Sequence, residues 1–115
     1  MKDLIEKLRK FASDRDWEQF HSPKNLSMAL SVEVAELMEH FQWLTENQSG
    51  NLDKKNLEKV RDEIGDIQIY LARFADQLGI DPLYAAKEKL KKNALKYPIE
   101  KAKGIANKIK NDNTK

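Results

Sequence analysis

Two stretches of this chain carry apolar residues at the period of an α-helix, and each holds a pair of carboxylates three residues apart. The first contains Leu26, Leu30, Val34, Leu37, Met38, Phe41 and Leu44 with Glu33 and Glu36. The second contains Leu57, Val60, Ile64, Ile67, Leu71, Phe74, Ala75 and Leu78 with Glu63 and Asp66. Residues three apart share a helix face, so each pair presents two carboxylates in one direction. At about 100° per residue, Glu33 and Glu36 fall on an arc with Leu26, Ala29, Leu37 and His40, and Glu63 and Asp66 on an arc with Ile67, Tyr70 and Phe74. Glu39 and Glu58 fall outside these arcs and read as solvated. The chain must therefore fold so that two helices bring four acids to, or beside, an interior. A buried carboxylate without a counter-charge is costly by several kcal/mol. Arg61, Arg73 and Lys59 are the candidate protein cations, and no inward-facing set of them matches four acids.

A metal is the other way to satisfy such a cluster. Oxygen-only donors select a hard cation, magnesium with manganese as its substitute, over zinc. Magnesium commonly divides its shell between carboxylates and substrate phosphates. Four carboxylates have room for more than one ion, which suits in-line attack on phosphorus. The competing metal reading is a di-iron carboxylate bundle, which needs Glu-x-x-His on two helices. Here the i+3 partners are Glu36 and Asp66, and His40 lies four residues beyond Glu36, so that site is poorly matched. Without metal the four charges repel, which raises the pKa of one or more of them.

The rest of the chain reads as one all-α domain over residues 1–99, followed by a Lys/Asn-rich tail over 100–115. A first helix is expected over Lys2 to about Asp14, from Leu4, Ile5, Leu8, Phe11 and Ala12. An aromatic-rich link follows, Arg15 to His21, and Ser22-Pro23 reads as an N-cap with proline at the first helical position, with Asn25 a competing cap. The second helix is expected to reach about Leu44, with Thr45 to Asn51 as a loop. The third is expected from Leu52 or Asp53 to Leu78, closed by Gly79 as a left-handed cap. Asp81-Pro82 starts a fourth helix that ends before Pro98, and Asn111 to Lys115 reads as frayed. The second helix is apolar on more than one side, so its own chain or a second subunit must cover it on more than one side.

The net charge of +2 conceals an asymmetry: residues 1–86 sum to −5 and residues 87–115 to +7. An acidic body does not match a general nucleic-acid binder, so no nucleic-acid partner is expected. There is no cysteine, which excludes disulfides and thiolate metal sites. No signal-peptide core or membrane-length apolar run is visible, and a cytoplasmic location is the expectation.

These residues also match a known pattern. Glu33-x-x-Glu36, 26 intervening residues, then Glu63-x-x-Asp66 resembles the signature of the all-α nucleoside triphosphate pyrophosphohydrolases, the MazG-like family. Trp17-Glu18-Gln19-Phe20-His21, Phe41-Gln42-Trp43, Tyr70-Leu71, Asn93 and Lys96-Tyr97-Pro98 bring the resemblance nearer to its dCTP pyrophosphatase branch. The resemblance implies a helical bundle of four-helix type that assembles as a dimer or dimer of dimers. It also implies hydrolysis of a nucleoside or deoxynucleoside triphosphate between the α- and β-phosphates. On it, Glu33, Glu36, Glu63 and Asp66 hold magnesium, and Glu33 or Glu36 orients or deprotonates the attacking water. Trp17, Glu18, Gln19, Phe20, His21, Trp43 and Tyr70 line the nucleotide pocket, and Lys89, Lys92, Asn93 and Tyr97 contact phosphate and sugar. The alternative from another class is a non-catalytic helical oligomerisation module whose acids are merely salt-bridged.

Overall fold

The computed structural model describes residues 1–104. These are helical with no strand among them: α1 (Lys2–Asp14), a 3-10 turn (Glu18–Phe20), α2 (Pro23–Glu39), a single-turn α3 (Glu46–Ser49), α4 (Lys54–Gln77), α5 (Pro82–Lys96) and a short α6 (Ile99–Ala102). The all-α expectation is met. The expectation for residues 111–115 lies outside the described residues. None of the described helices is long and apolar enough to cross a membrane.

The chain divides into two compact units, Met1–Pro82 and Leu83–Lys115. In the first, α4 is the central element, packing along α2 and, over a shorter length, against α1. Its core is thin and built of small residues: Ala12, Leu26, Val60, Ala72 and Ala75 are buried. Alanines at these contacts let helix axes approach closely, but they bury little apolar area. Many larger apolar residues stay exposed, among them Met28, Val32, Val34 and Met38 on α2 and Leu57 and Ile64 on α4.

The helix ends follow local chemistry. The Ser22 hydroxyl accepts from the Asn25 amide with Pro23 in the first turn, so Ser22 rather than Asn25 is the cap of α2. The Asp53 carboxylate caps α4 in the same way through the Asn56 amide. α4 ends as expected at a left-handed Gly79, with φ +69°, where the Ile80 and Gly79 amides close back onto Ala75 and Asp76 carbonyls. α1 ends in the same double-bonded turn, with Trp17 and Asp16 amides returning to Ala12 and Ser13 carbonyls. There the left-handed residue is Asp16, at φ +53°, a conformation that short polar side chains adopt more readily than most. Gln19 steadies it, donating from Nε2 to both the Asp16 carbonyl and carboxylate.

α2 stops at Glu39, five residues short of the expected Leu44. Beyond it the backbone tightens: the His40 and Phe41 amides bond three residues back, to Leu37 and Met38. The expected loop after Leu44 contains α3, started by a capping box. The Gln48 amide donates to the Thr45 hydroxyl, and the Gln48 side chain accepts from the Thr45 amide. The Thr-x-x-Gln spacing was the sequence signal for it. Gly65, between the α4 acids, has open space where a side chain would stand, so no described residue packs closely against it.

Candidate active site

The α2–α4 contact places the acidic arcs face to face. Leu26 is buried and Ala29 and Leu37 are half-buried on α2, as are His40 just past its end and Ile67, Tyr70 and Phe74 on α4. This is the arrangement the two arcs predicted. Glu33, Glu36 and Glu63 are half-buried beside these residues, whereas Glu39 and Glu58 are exposed. Glu33, Glu36 and Glu63 each offer a carboxylate oxygen within 4.8 Å of the others. Asp66 is exposed and stands outside that trio.

No ion pair among the described residues reaches any of the four acids. The electrostatic consequence falls on Glu33, whose carboxyl is pushed up to about 7. Burial is the largest cause, followed by the charges of Glu36, Asp66 and Glu63, with a hydrogen bond to Glu36 adding to them. Asp66 is thus near enough to be felt by the cluster. The Glu63 Oε2 atom is sealed from solvent and has no hydrogen-bond partner among the described residues. A buried carboxylate oxygen without a donor lacks positive charge. An all-oxygen donor set with one orphaned oxygen and no protein cation fits a hard divalent ion.

Beside the trio lies a cavity of about 240 Å³. Leu8, Phe11, Ala12 and Ile69 supply its aliphatic and aromatic walls, Trp17 and Tyr70 its amphipathic rings, and His21, Asp66 and Arg73 its polar groups. Asp66 therefore belongs to the cavity wall as well as to the acidic set. The left-handed turn at Asp16 brings Trp17 back against α1, where its ring meets Phe11 edge-on at 5.7 Å and His21 at 6.4 Å. The Arg15 guanidinium covers the Phe11 ring at 3.6 Å. His21 is pushed below its ordinary pKa, first by burial and then by the Arg73 charge.

The structure brings together Trp17, His21, Tyr70 and Asp66 of the residues singled out in sequence. Glu18, Gln19 and Phe20 form the exposed turn between Trp17 and His21 and do not line the cavity. Gln19 acts on Asp16, and the Phe20 carbonyl accepts from Asn25 Nδ2. Trp43 is 86% exposed. Lys89, Lys92, Asn93 and Tyr97 lie in the second unit. There the two lysines are exposed, Asn93 and Tyr97 are half-buried, and the Tyr97 amide donates to the Asn93 carbonyl at 2.8 Å. Sequence reading assigned Phe11 and Leu8 to a helix stripe and Arg73 to possible neutralisation of the acids. Leu8 and Phe11 line the cavity from that stripe, and Arg73, which pairs with Asp76 rather than with the four acids, lines it too. The signal available was position: Phe11 and Leu8 occupy the last turns of α1, just before the aromatic link.

Comparisons with known proteins give a consistent picture. The MazG-like family model matches residues 28–111. The chain is 36% identical over 108 residues to dCTP pyrophosphatase 1 of Mus musculus, covering 92% of this chain and 64% of that protein. It is 36% identical over 110 residues to dCTP pyrophosphatase 1 of Homo sapiens, covering 94% of this chain and 65% of that one. The chain thus spans a little under two thirds of the length of these curated relatives. Its fold is similar to the crystal structure of a pyrophosphatase from Archaeoglobus fulgidus, with a TM-score of 0.81 and 40% identity over 85% of this chain and 92% of that one.

Proposed function

The chain belongs to the MazG-like family, and on that premise we propose that it is a magnesium-dependent nucleoside triphosphate pyrophosphohydrolase. It cleaves a deoxynucleoside triphosphate, of the dCTP type, to the monophosphate and pyrophosphate, and so clears unwanted nucleotides from the pool. The observation that carries this reading is the trio Glu33, Glu36 and Glu63, uncompensated by any protein cation among the described residues and set beside an aromatic cavity. The dCTP pyrophosphatases among its relatives support the substrate class.

In this reading Glu33, Glu36, Glu63 and Asp66 hold the metal, with manganese able to replace magnesium. When bound, the ion supplies positive charge against the triphosphate oxygens. Glu33 and Glu36 are the groups assigned to orient the attacking water and take its proton, at the face of the α-phosphorus opposite the departing pyrophosphate. Trp17 and Tyr70 hold the base by its flat face, for which stacking contributes about 1–3 kcal/mol. Trp43, Lys89, Lys92, Asn93 and Tyr97 are assigned to the substrate by family resemblance. Glu18, Gln19 and Phe20 act through the turn that presents Trp17 and His21. Exposed Met28, Val32, Val34 and Met38 on α2 support assembly into a homo-oligomer, dimer or tetramer, which would cover them.

The test is pyrophosphate release from each dNTP and NTP by the purified protein, with and without magnesium. The expected result is magnesium-dependent release with a deoxynucleotide preferred. No release from any nucleotide in magnesium would leave the oligomerisation module as the better reading.

A further inference from the structure

Asp16 is the only residue other than glycine with a positive φ among the described residues, at +53°. That conformation crowds Cβ against the following carbonyl oxygen, which is why glycine usually takes such a position at a helix end. Asp16 stands two residues past α1 and directly before Trp17, whose ring forms part of the cavity wall. The turn has to close there. The Asp16 and Trp17 amides return to the Ser13 and Ala12 carbonyls at 3.1 and 2.9 Å, and Ala12 is buried. Glycine would close the same turn without strain, but it would leave the backbone before Trp17 free to adopt other conformations.

Gln19 supplies what an aspartate needs in that place. The Asp16 carbonyl and carboxylate oxygens can only accept, so holding them toward one point requires a donor between them. Gln19 Nε2 is that donor, at 3.0 Å from the carbonyl and 3.1 Å from Oδ2. Beyond Trp17 the link is pinned separately. The Phe20 amide donates to the Trp17 carbonyl, and Asn25 Nδ2 on α2 donates to the Phe20 carbonyl. Trp17 is thus fixed on both sides of its own backbone. Its ring stands edge-on to Phe11 at 5.7 Å and to His21 at 6.4 Å, and all three line the cavity. Gln19 is exposed and does not line it.

We propose that Gln19 is a positioning residue: by clamping Asp16 in the left-handed conformation it sets Trp17 in place to receive the nucleobase, and it makes no contact of its own with the nucleotide. That role rests on the nucleotide-hydrolase reading for what Trp17 receives, and it deepens that reading by separating the residue that meets the base from the one that sets its wall. A wall held in place before the ligand arrives favours binding rather than the chemical step, so its loss falls on KM.

The test is a double-mutant cycle between Gln19→Glu and Asp16→Gly, read as KM and kcat for dCTP in magnesium. Both positions are exposed, so the variants are expected to fold. Gln19→Glu keeps the length of the side chain, removes the donor and sets a second carboxylate beside that of Asp16. It is expected to raise KM about 5- to 10-fold and to change kcat by less than about twofold. On the Asp16→Gly background, where glycine adopts the turn unaided, the same substitution is expected to raise KM by less than about twofold. An equal rise on both backgrounds would mean that Gln19 meets the nucleotide directly and would overturn the proposal, as would an unchanged KM in Gln19→Glu alone. The Trp17 indole N–H resonance of the nucleotide-free proteins gives a readout that needs no activity. It is expected to move in Gln19→Glu and to stay in place when the same substitution is made on Asp16→Gly; a resonance unmoved in the single variant overturns the clamp. Wild-type protein that hydrolyses no dNTP sinks the hydrolase reading, while the indole resonances still decide the clamp.

Discussion

Helix α4 carries acids in two contrasting settings. Midway along it, Glu63 and Asp66 join Glu33 and Glu36 of α2, with no protein cation paired to any of them among the described residues. Near its C-terminal end, Asp76 has two guanidinium partners, Arg9 in a two-pronged bond and Arg73 at 3.6 Å. The pKa values diverge accordingly. Glu33 is pushed up to about 7, chiefly by burial and then by its acidic neighbours. Asp76 is held below its ordinary value, chiefly by the Arg9 hydrogen bond. The C-terminal end of the helix uses charge to fasten α1 to α4. Its middle accumulates charge at a cost in stability, which is the usual mark of a site kept for a ligand.

The comparison can be broken most sharply at the cluster. Glu36→Gln is expected to lower magnesium-dependent dNTP hydrolysis by about 100-fold or more, measured as pyrophosphate release, while raising the melting temperature of the metal-free protein. Retained activity would remove Glu36 from the site. Asp76→Ala has the opposite character. It strands the buried Arg73 and frees Arg9, and urea denaturation should show a loss of about 3 kcal/mol.

The two settings should also respond to pH with opposite signs. Glu33 binds its proton more tightly in the folded protein, so metal-free stability falls as pH rises from about 4.5 through about 7 and then levels off. Magnesium binding needs the ionised carboxylate, so the melting-temperature gain from added magnesium should grow over the same range. Asp76 binds its proton less tightly when folded. Its contribution is complete above its unfolded value near 3.8 and is lost as pH falls through the lower folded value. Melting curves between pH 2 and 8, in chelator and in magnesium, check both slopes, and Glu33→Gln should flatten only the upper one. The smallest expected effect is Arg9→Ala. Its side chain is 59% exposed, so solvent screens the pair and its removal should move the urea midpoint less than any of the other variants.

Much of the fold was legible because it rests on local chemistry. The Ser22-Pro23 start of α2, the Asp53 cap and the Gly79 stop all follow from residues within one turn of the helix end. The misses were local too, but they concerned competing signals. The apolar period continues past Glu39 to Leu44, whereas the backbone tightens after Glu39 and Thr45 then caps a new turn. Asp16 takes a left-handed conformation usually signalled by glycine, and a sequence contains no mark for that exception.

For the site, spacing alone put four carboxylates on two inward arcs and put aromatics in the link before α2. That much follows from the 3.6-residue period, which depends on nothing outside each helix. Only the tertiary structure decided how the two arcs meet. The α2–α4 packing draws Glu33, Glu36 and Glu63 within 4.8 Å and leaves Asp66 on the cavity wall. Arg73 stands beside Asp76 because the two are three residues apart on α4, but it was packing that brought His21 and the cavity to it. Direction around one helix is set by residue spacing, but distance between helices depends on axial shift and close packing, and those come from side chains far apart in the chain.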